Sequence, residues 1–495
     1  MVPARQFYRW LFLVHRWIGI GSCLLFCIWF LSGLVMLHIP YPSLSLKDRL
    51  TRAAPIEWWQ VDQPPPPDMA GAARLDLLMR DSVPVWRAER PDGSWASAPA
   101  RRGVSLTPVD GSFARRVAER FARLDAKRAR PIERDQWTVA GGFNAHRPLW
   151  KVEMNDPART VIYVSSATGE PVQRTTGSQR LWNWVGSVPH WIYPTLLRQH
   201  AQGWRQVVLW VSGPCIAAAL SGIWVGLMRA RIGQRRFPGG RMTPYRGWML
   251  WHHIAGLAGG LFLLTWIFSG WLSVDPGSIF ASKASDQTGQ HYAAGAAPDS
   301  ASLDRLRDRA PLAAMVRVQR NAGLATATIL PASGPAETWL LASTRPAPLS
   351  TRTIIAAAAS LVPEGRMTEA QLLRTADAYW YSVTGDVQLP VLQLRFGDIR
   401  HTWLYLDPRT GELLARMDER RRAYRWLFDM LHRWDVGLLI RNAPARVLLI
   451  WMGSLIGLVT SASGLVIGWR RLTRRKSMKV KSRPAKAAAA LQVPV

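Results

Sequence analysis

Four long apolar stretches dominate the pattern of hydrophobic and polar positions along this chain. They lie at residues 17–37, 206–228, 247–274 and 447–469. A helix of about 20 apolar residues is long enough to cross a bilayer. Because backbone polar groups in lipid need partners within the protein, helices are the only reasonable form for these stretches. The pattern therefore predicts four transmembrane helices.

The arginines and lysines predict the orientation of these spans. Basic residues crowd the start of the first span, the short link between the second and third spans, and the segment after the fourth. The positive-inside rule puts all three on the cytoplasmic side, so both termini are predicted to lie inside a bacterial inner membrane. The first span has no small-residue cleavage site after it and is predicted to be an uncleaved anchor. The two long connections then lie outside, in the periplasm of a Gram-negative cell.

These assignments divide the chain into eight predicted parts. They are the cytoplasmic N-terminus with the first span at 1–37, an external domain at 38–204, the second span at 205–229, a cytoplasmic linker at 230–246, the third span at 247–274, a second external domain at 275–445, the fourth span at 446–470 and a basic cytoplasmic tail at 471–495.

The external segments alternate between helical and strand-like patterns. In the first, a helix is predicted at 112–125 and strands at 83–90, 136–141, 149–154 and 160–165. In the second, a helix is predicted at 351–361 and strands at 389–396, 402–406 and 413–416. Each segment is thus predicted to hold a small α+β unit in which one helix covers an antiparallel sheet.

The two halves of the chain repeat each other. Seven positions around the first span recur around the third: Tyr8, Arg9, His15, Gly19, Trp29, Ser32 and Gly33 fall on Tyr245, Arg246, His252, Gly256, Trp266, Ser269 and Gly270. The second and fourth spans correspond likewise, with Trp184, His190, Ser221 and Gly222 falling on Trp426, His432, Ser463 and Gly464. The predicted fold class is therefore an α-helical membrane protein, a four-transmembrane-helix bundle of two parallel repeats related by a pseudo-twofold axis along the membrane normal.

Charge and cysteine content narrow the function classes. The net charge is +30, but many of the basic residues lie at predicted cytoplasmic helix ends, where they suit an anionic leaflet. Membrane lipid is therefore the expected partner and nucleic acid is not. All three cysteines lie in apolar stretches, so no disulfide framework is expected outside the membrane. No Cys-x-x-Cys-His motif occurs, which excludes covalent c-type haem.

Histidines in and next to the apolar stretches carry the candidate chemistry: His15 lies inside the apolar run at 10–37, and His252 lies inside the third span. An ionisable residue in a spanning helix is a functional-site hypothesis by default, and the repeat pairs His15 with His252 near the cytoplasmic face. It also pairs His190 with His432 near the outer face. Because neutral imidazole is a good axial ligand for haem iron, the pattern predicts two b-type, bis-histidine haems per chain.

Glycines are expected to make room for the macrocycles. Gly19 and Gly256 each lie one turn after an inner histidine, on the same helix face. They are therefore predicted to line the inner cofactor site. The Ser221-Gly222 and Ser463-Gly464 pairs are predicted only to let helices pack closely.

Neighbouring histidines leave two alternative ligands open. His253 is adjacent to His252 but about 100° further around a helix, so only one of them can face a given site. The repeat favours His252, because Arg16 stands at the counterpart of His253. His200 is a weaker alternative to His190, since its counterpart is an asparagine.

Over nearly its full length the chain resembles the PepSY-associated transmembrane family. The strings that carry the resemblance are LVHRWIG at 13–19, WHHIAG at 251–256, WIFSG at 266–270, the LH pair at 431–432, DPRTGE at 407–412 and SGL at 463–465. The resemblance implies PepSY-like external domains and, as in some members, an inner-membrane di-haem reductase of ferric siderophores. One departure is Ser165-Ser166, where the family pattern has Asp-Pro.

The resulting expectation is transmembrane electron transfer. An unidentified donor in the cytoplasm or the membrane would supply electrons, and a ferric siderophore or other iron(III) chelate would be reduced outside to release Fe(II). No dinucleotide-binding glycine motif and no side-chain acid or base is identified. Two other classes stay open: an iron-complex transporter or permease subunit, and a haem-free regulatory protein whose PepSY domains bind peptides or inhibit a protease.

Overall fold

The computed structural model describes residues 4–69, 71–72, 74–231, 233, 236–281, 292, 298, 300–321, 324–341, 349–383 and 387–473. Its α-helices are α1 (Ala4–His38), α2 (Leu46–Leu50), α3 (Gly111–Ala122), α4 (Gly177–Val185), α5 (Ser187–His190), α6 (Thr195–Arg198), α7 (Ala201–Arg229), α8 (Trp248–Leu272), α9 (Ser300–Arg309), α10 (Thr351–Ala358), α11 (Glu419–Tyr424), α12 (Leu431–Arg433), α13 (Gly437–Arg441) and α14 (Ala443–Thr473). Most of the predicted basic tail, at 474–495, lies outside the described residues.

Four of the described helices, α1, α7, α8 and α14, are long and apolar enough to cross a membrane. They contact one another in a ring: α1 and α8 each pack against both α7 and α14. Glycines lie at these contacts, as at Gly457 against Phe30 and Gly259 against Ile456. The hydrophobic effect does not drive helices together in lipid, so spanning helices associate through close packing, which small residues allow. Each predicted span thus corresponds to one candidate span. The ends agree within five residues except the start of the first, where α1 begins at Ala4, thirteen residues before the predicted start at 17.

Three antiparallel sheets make up the strand regions. The strands are β1 (Arg74–Arg80), β2 (Val83–Glu89), β3 (Trp95–Pro99), β4 (Ala126–Ile132), β5 (Leu149–Met154), β6 (Val161–Ser165), β7 (Pro171–Thr175), β8 (Ala313–Asn321), β9 (Leu324–Pro331), β10 (Glu337–Leu340), β11 (Met367–Leu373), β12 (Val391–Phe396), β13 (Trp403–Leu406) and β14 (Leu413–Met417). Their orders are β4-β5-β6-β7, β11-β12-β13-β14 and β10-β9-β8-β1-β2-β3.

The two four-stranded sheets match the predicted α+β units. Helix α3 begins after Asp110, whose carboxylate accepts the backbone N–H of Phe113 at 2.8 Å. It packs Ala118 and Phe121 against β5 and β6 in one buried cluster. Helix α10 likewise buries Ile354 in the cluster of the second sheet. The predicted helices at 112–125 and 351–361, and the strands that follow them at 149–154, 160–165, 389–396, 402–406 and 413–416, are confirmed within a few residues.

One predicted strand, at 136–141, is wrong. The segment forms a turn in which the Asp135 carboxylate accepts the backbone N–H of Trp137 at 3.0 Å and the hydroxyl of Thr138 at 3.1 Å. Apolar Trp137 and Val139 alternate with polar Gln136 and Thr138 in the sequence, which imitates a half-buried strand, but all four side chains are buried. The strand that completes this sheet is β4, whose largely exposed residues carry no apolar signal.

The six-stranded sheet joins the two long segments between the candidate spans, an arrangement that the sequence did not predict. Its central pair is β1 from the first segment and β8 from the second, with Leu77 opposite Val316. These two side chains and Trp86 are fully buried in one cluster. The halves of the chain therefore share a core outside the spans as well as within them.

A buried carboxylate ties the same strands together by charge. Asp76 on β1 is fully buried and accepts from Arg87 at 2.8 Å and from Arg317, on β8, at 2.9 Å. Arg74 lies at 3.3 Å. Burial alone would raise the pKa of Asp76, but the charges of Arg317, Arg87 and Arg74 outweigh it and hold the pKa well below its usual range. Asp76 is therefore ionised at every physiological pH.

Replacing Asp76 is expected to destabilise the external sheets. In Asp76→Ala the Arg87 and Arg317 side chains lose their fully buried counter-ion, although Arg87 keeps its ion pair with Glu170. Breaking a buried pair costs at most about 3–5 kcal/mol. Thermal unfolding of the full-length protein in detergent should show a lower Tm. Because the folded-state pKa is depressed, the stabilisation is present above the unfolded pKa of about 3.9 and is lost only below it. Asp304→Ala, at an exposed ion pair, should leave Tm unchanged; equal Tm values for both variants would contradict the prediction.

Candidate functional site: two facing histidine pairs

The inner site is formed by His15 on α1 and His252 on α8. Their ring centroids are 6.1 Å apart, with an interplanar angle of 42°. The Nδ1–H of His15 donates to the Ala218 carbonyl at 3.0 Å, and that of His252 donates to the Thr460 carbonyl at 2.9 Å. Within the described part of the chain, neither Nε2 atom has a hydrogen-bond partner. Each ring is thus anchored by one nitrogen and keeps the other free.

The outer site repeats this arrangement with His190, at the end of α5, and His432, on α12. The ring centroids are again 6.1 Å apart. His190 donates from Nδ1 to the Ser32 hydroxyl at 3.1 Å and to the Trp29 carbonyl at 3.2 Å, while His432 donates to the Ser269 hydroxyl at 2.9 Å. A metal-binding histidine almost always donates its second ring N–H to such an acceptor. The outer pair therefore uses Nδ1 as the inner pair does and leaves Nε2 for a ligand.

The outer imidazoles are neutral at physiological pH. Burial lowers the pKa of His190 to about 4. Burial, with the nearby His190 and the charge of Arg433, lowers the pKa of His432 to about 3. Neutral imidazole is the form that ligates metals. Both rings can thus offer a lone pair without first losing a proton.

The spacing of the rings fits a metal held between them. With a metal–imidazole bond of about 2.0 Å and a ring centre about 1.1 Å behind the ligating nitrogen, two rings in line on one metal stand about 6.2 Å apart. Both pairs have 6.1 Å. Among the described residues no group of three or more His, Cys, Asp or Glu could hold a bare metal ion. Two protein ligands suit haem, because the macrocycle supplies the other four nitrogens.

Glycines at four positions give the imidazoles their space, and the sequence identified none of them as site residues. A Cβ on Gly222 would lie 2.6 Å from Cε1 of His15, and one on Gly464 would lie 3.1 Å from Cε1 of His252. At the outer site, Gly33 and Gly270 stand in the same relation to His190 and His432, at 3.2 and 3.8 Å. The recurrence of Ser-Gly at 221–222 and 463–464 was the available signal, but it indicated helix packing alone.

The two glycines that the sequence did identify stand beside open space. A Cβ on Gly19 would meet no heavy atom within 4 Å, and one on Gly256 would meet only the Thr460 methyl group, at 3.7 Å. They do not pack against the histidines. Their role in admitting a macrocycle stays a prediction, and the free volume beside Gly19 is compatible with it.

The alternative histidines lie outside both pairs. His253 is buried, but its Nε2 donates to the Gly226 carbonyl at 2.9 Å and its ring packs edge-on against Tyr245. His200 is exposed at the N-terminal cap of α7. The geometry therefore pairs His252 with His15 and His190 with His432, as the repeat favoured.

The fold and the site define a membrane protein with four candidate spans and two facing pairs of buried histidines. The family model of the PepSY-associated TM region matches residues 12–330, more than half of the chain. The chain belongs to this family. The matched range includes His15, His190 and His252 and ends before His432. A search of curated proteins finds no match.

Proposed function

We propose that the chain is a transmembrane b-type di-haem electron-transfer protein that reduces an iron(III) chelate, such as a ferric siderophore, at its external face. The observation that carries this proposal is the pair of equal ring separations, 6.1 Å at both sites, with Nδ1 anchored in all four histidines. His15 and His252 would hold one haem axially, and His190 and His432 the other.

The placement of the two sites supports transfer across the membrane. His15 lies in the first span, whereas Ser32, in the same helix, bonds His190. At about 1.5 Å per residue the helix rises about 26 Å between them, close to the roughly 30 Å of the bilayer core. The two sites would thus lie towards opposite faces of one bundle.

The chain's own residues would hold the haems and orient the imidazoles. When bound, two b-type haems would supply reversible one-electron Fe(III)/Fe(II) couples. The backbone carbonyls of Ala218 and Thr460 keep the inner imidazoles in one tautomer and one orientation. One electron from a donor in the cytoplasm or membrane converts the substrate Fe(III) to Fe(II), which binds hard oxygen ligands less tightly and leaves the chelate.

The proposal includes a location and an orientation. Arg229 ends α7, and Arg470 and Arg471 lie in the last turn of α14. With the positive-inside rule, these residues support cytoplasmic termini in a bacterial inner membrane. The three sheets would then form PepSY-like domains in the periplasm, on the side of the outer histidine pair.

The absorption spectrum of the purified protein tests the function. Protein from haem-replete cells should be red, with a Soret band that shifts on dithionite reduction and with two haems per chain. Colourless protein would refute the proposal. Uptake of an iron complex by proteoliposomes without reductant would instead favour a transporter.

A substitution at Gly222 should empty the inner site. In Gly222→Ala the new methyl group meets His15 at 2.6 Å, so the imidazole must move from its position facing His252. Haem content measured as the pyridine haemochrome should fall from two towards one per chain. Gly21→Ala, which adds the same methyl group at an exposed position of α1 where nothing lies within 4 Å, is the matched control. Loss of haem in the control but not in Gly222→Ala would contradict the assignment.

A further inference from the structure

A pocket of about 300 Å³ is lined in part by the helical segment that carries the outer histidine His432, at 419–433. Its wall includes Tyr379, Tyr381, Arg421, Arg425, Asp429 and Arg433. Arg433 directly follows His432 in the chain, and the Phe428 ring stacks on the His432 ring, with centroids 5.3 Å apart. The pocket is therefore continuous with the structure that holds the outer histidine.

The charges of the pocket leave one arginine without a counter-ion. Arg425 pairs with Asp435 at 3.0 Å, and Arg433 pairs with Asp429 at 2.7 Å. The guanidinium of Arg421 forms no ion pair with any carboxylate in the described part of the chain and lies over the Tyr424 ring, at 5.0 Å. Among the described residues, three arginines thus line the pocket, and the carboxylates paired with them are two, Asp429 and Asp435, which leaves an excess of one positive charge.

A π-helix, Arg425–Met430, forms one wall of the pocket. Such helices are rare and frequently occur at functional sites. This one is fixed by Arg425, whose side chain donates to the Ala378 carbonyl at 2.9 Å and to the Asp435 backbone carbonyl at 2.6 Å. The wall that bears the positive charge is therefore held in place by buried hydrogen bonds.

The repeat shows that the fold does not need these arginines. The first half has neutral residues at the corresponding positions: Arg421, Arg425 and Arg433 fall on Gln179, Asn183 and Trp191. There, the buried Asn183 donates to the Pro40 carbonyl at 3.2 Å and accepts the Ser187 hydroxyl at 2.6 Å. The first half therefore has hydrogen bonds between neutral groups at the positions where the second half has a charged pocket. The charge thus serves something other than the shared architecture.

We infer that this pocket binds a small polycarboxylate anion in the form of its iron(III) chelate, an inference that rests on the proposed function for the metal. Guanidinium groups match carboxylates in geometry and charge. The Tyr379 hydroxyl accepts the Trp426 indole N–H at 3.1 Å, which leaves its own O–H to donate. A volume of about 300 Å³ is at the lower end of ligand pockets. It favours a compact hydroxycarboxylate chelate over a bulky siderophore.

Binding of gallium(III) citrate to the full-length protein in detergent tests the inference without any redox reaction. Titration calorimetry at about 150 mM salt, where exposed charges are largely screened, should show saturable binding to wild type. Arg421→Gln should weaken it at least about 10-fold, the loss of one charge-assisted contact. Gln179→Ala, the matched change in the first half, should bind as wild type does. Equal affinities of wild type and Arg421→Gln would overturn the inference, as would equal affinities for citrate with and without gallium.

The haem spectrum of the same samples separates this inference from the proposed function. Two haems per chain without gallium citrate binding would overturn the pocket assignment and leave the di-haem proposal standing. Colourless protein that binds gallium citrate through Arg421 would support the anion site and refute electron transfer.

Discussion

His252→Ala protein is expected to contain one haem per chain instead of two, whereas His253→Ala protein keeps both. The ring centre of His252 lies 6.1 Å from that of His15, so its loss would remove one of the two residues proposed to hold the inner haem. His253 donates a hydrogen bond to the Gly226 carbonyl and belongs to neither pair. Haem per chain, measured as the pyridine haemochrome, distinguishes the two variants directly.

The partner residue supplies the control for this prediction. His15→Ala should have the same haem content as His252→Ala, and the double variant should lose no more than either alone, because both residues serve one site. His253→Ala loses the hydrogen bond to the Gly226 carbonyl, which still accepts the backbone N–H of Ala230. Stability is therefore expected to fall by only about 0.5–1.5 kcal/mol, with the haem spectrum unchanged. Haem loss in His253→Ala together with retention in His252→Ala would discard the repeat-based assignment.

The sequence predicted the histidine pairs because the repeat carries spatial information. Two copies of one helix arrangement bring equivalent residues to equivalent places, so His15 and His252 could be paired without any contact being known. The long apolar spans were predictable for a similar reason: α1 and α14 carry a signal many residues long. A pattern that extends over many residues can be recognised even when the structure at single residues cannot be predicted.

The shared sheet could not be predicted in the same way. Strand β1 is buried on both faces through most of its length, so it lacks the alternation of a half-buried strand. Its partner β8 lies in the other half of the chain, and pairing between such distant segments leaves no local trace. The contact between Asp76 and Arg317 follows from this pairing and was equally hidden.

The glycines beside the histidines show a different limit. The sequence marks Gly222 and Gly464 as small residues at repeated positions, but it does not say what lies opposite them. Only the packing of neighbouring helices places His15 against the first and His252 against the second. The sequence therefore favoured Gly19, on the histidine's own helix, where contact could be argued from helical spacing alone.

His432→Ala is expected to slow reduction of an external iron(III) chelate at least about 100-fold, the upper end of the effect of losing even an outer-shell partner of a metal ligand. The variant would lack one of the two residues proposed to hold the outer haem, while His15 and His252 would still hold the inner one. Proteoliposomes with dithionite inside, and with ferric chelate and an Fe(II)-specific dye outside, measure the rate. The inner haem should still be reduced by dithionite.

The control for His432→Ala is a histidine outside both pairs. His401, an exposed residue that lies 3.6 Å from the Glu419 carboxylate, can be replaced by alanine without touching either site. His401→Ala should reduce the chelate at the wild-type rate, and His190→Ala should match His432→Ala because the two rings serve the same site. A His432→Ala protein that reduces the external chelate as fast as wild type would show that electrons leave by a route without the outer pair, and the transmembrane electron-transfer proposal would fail.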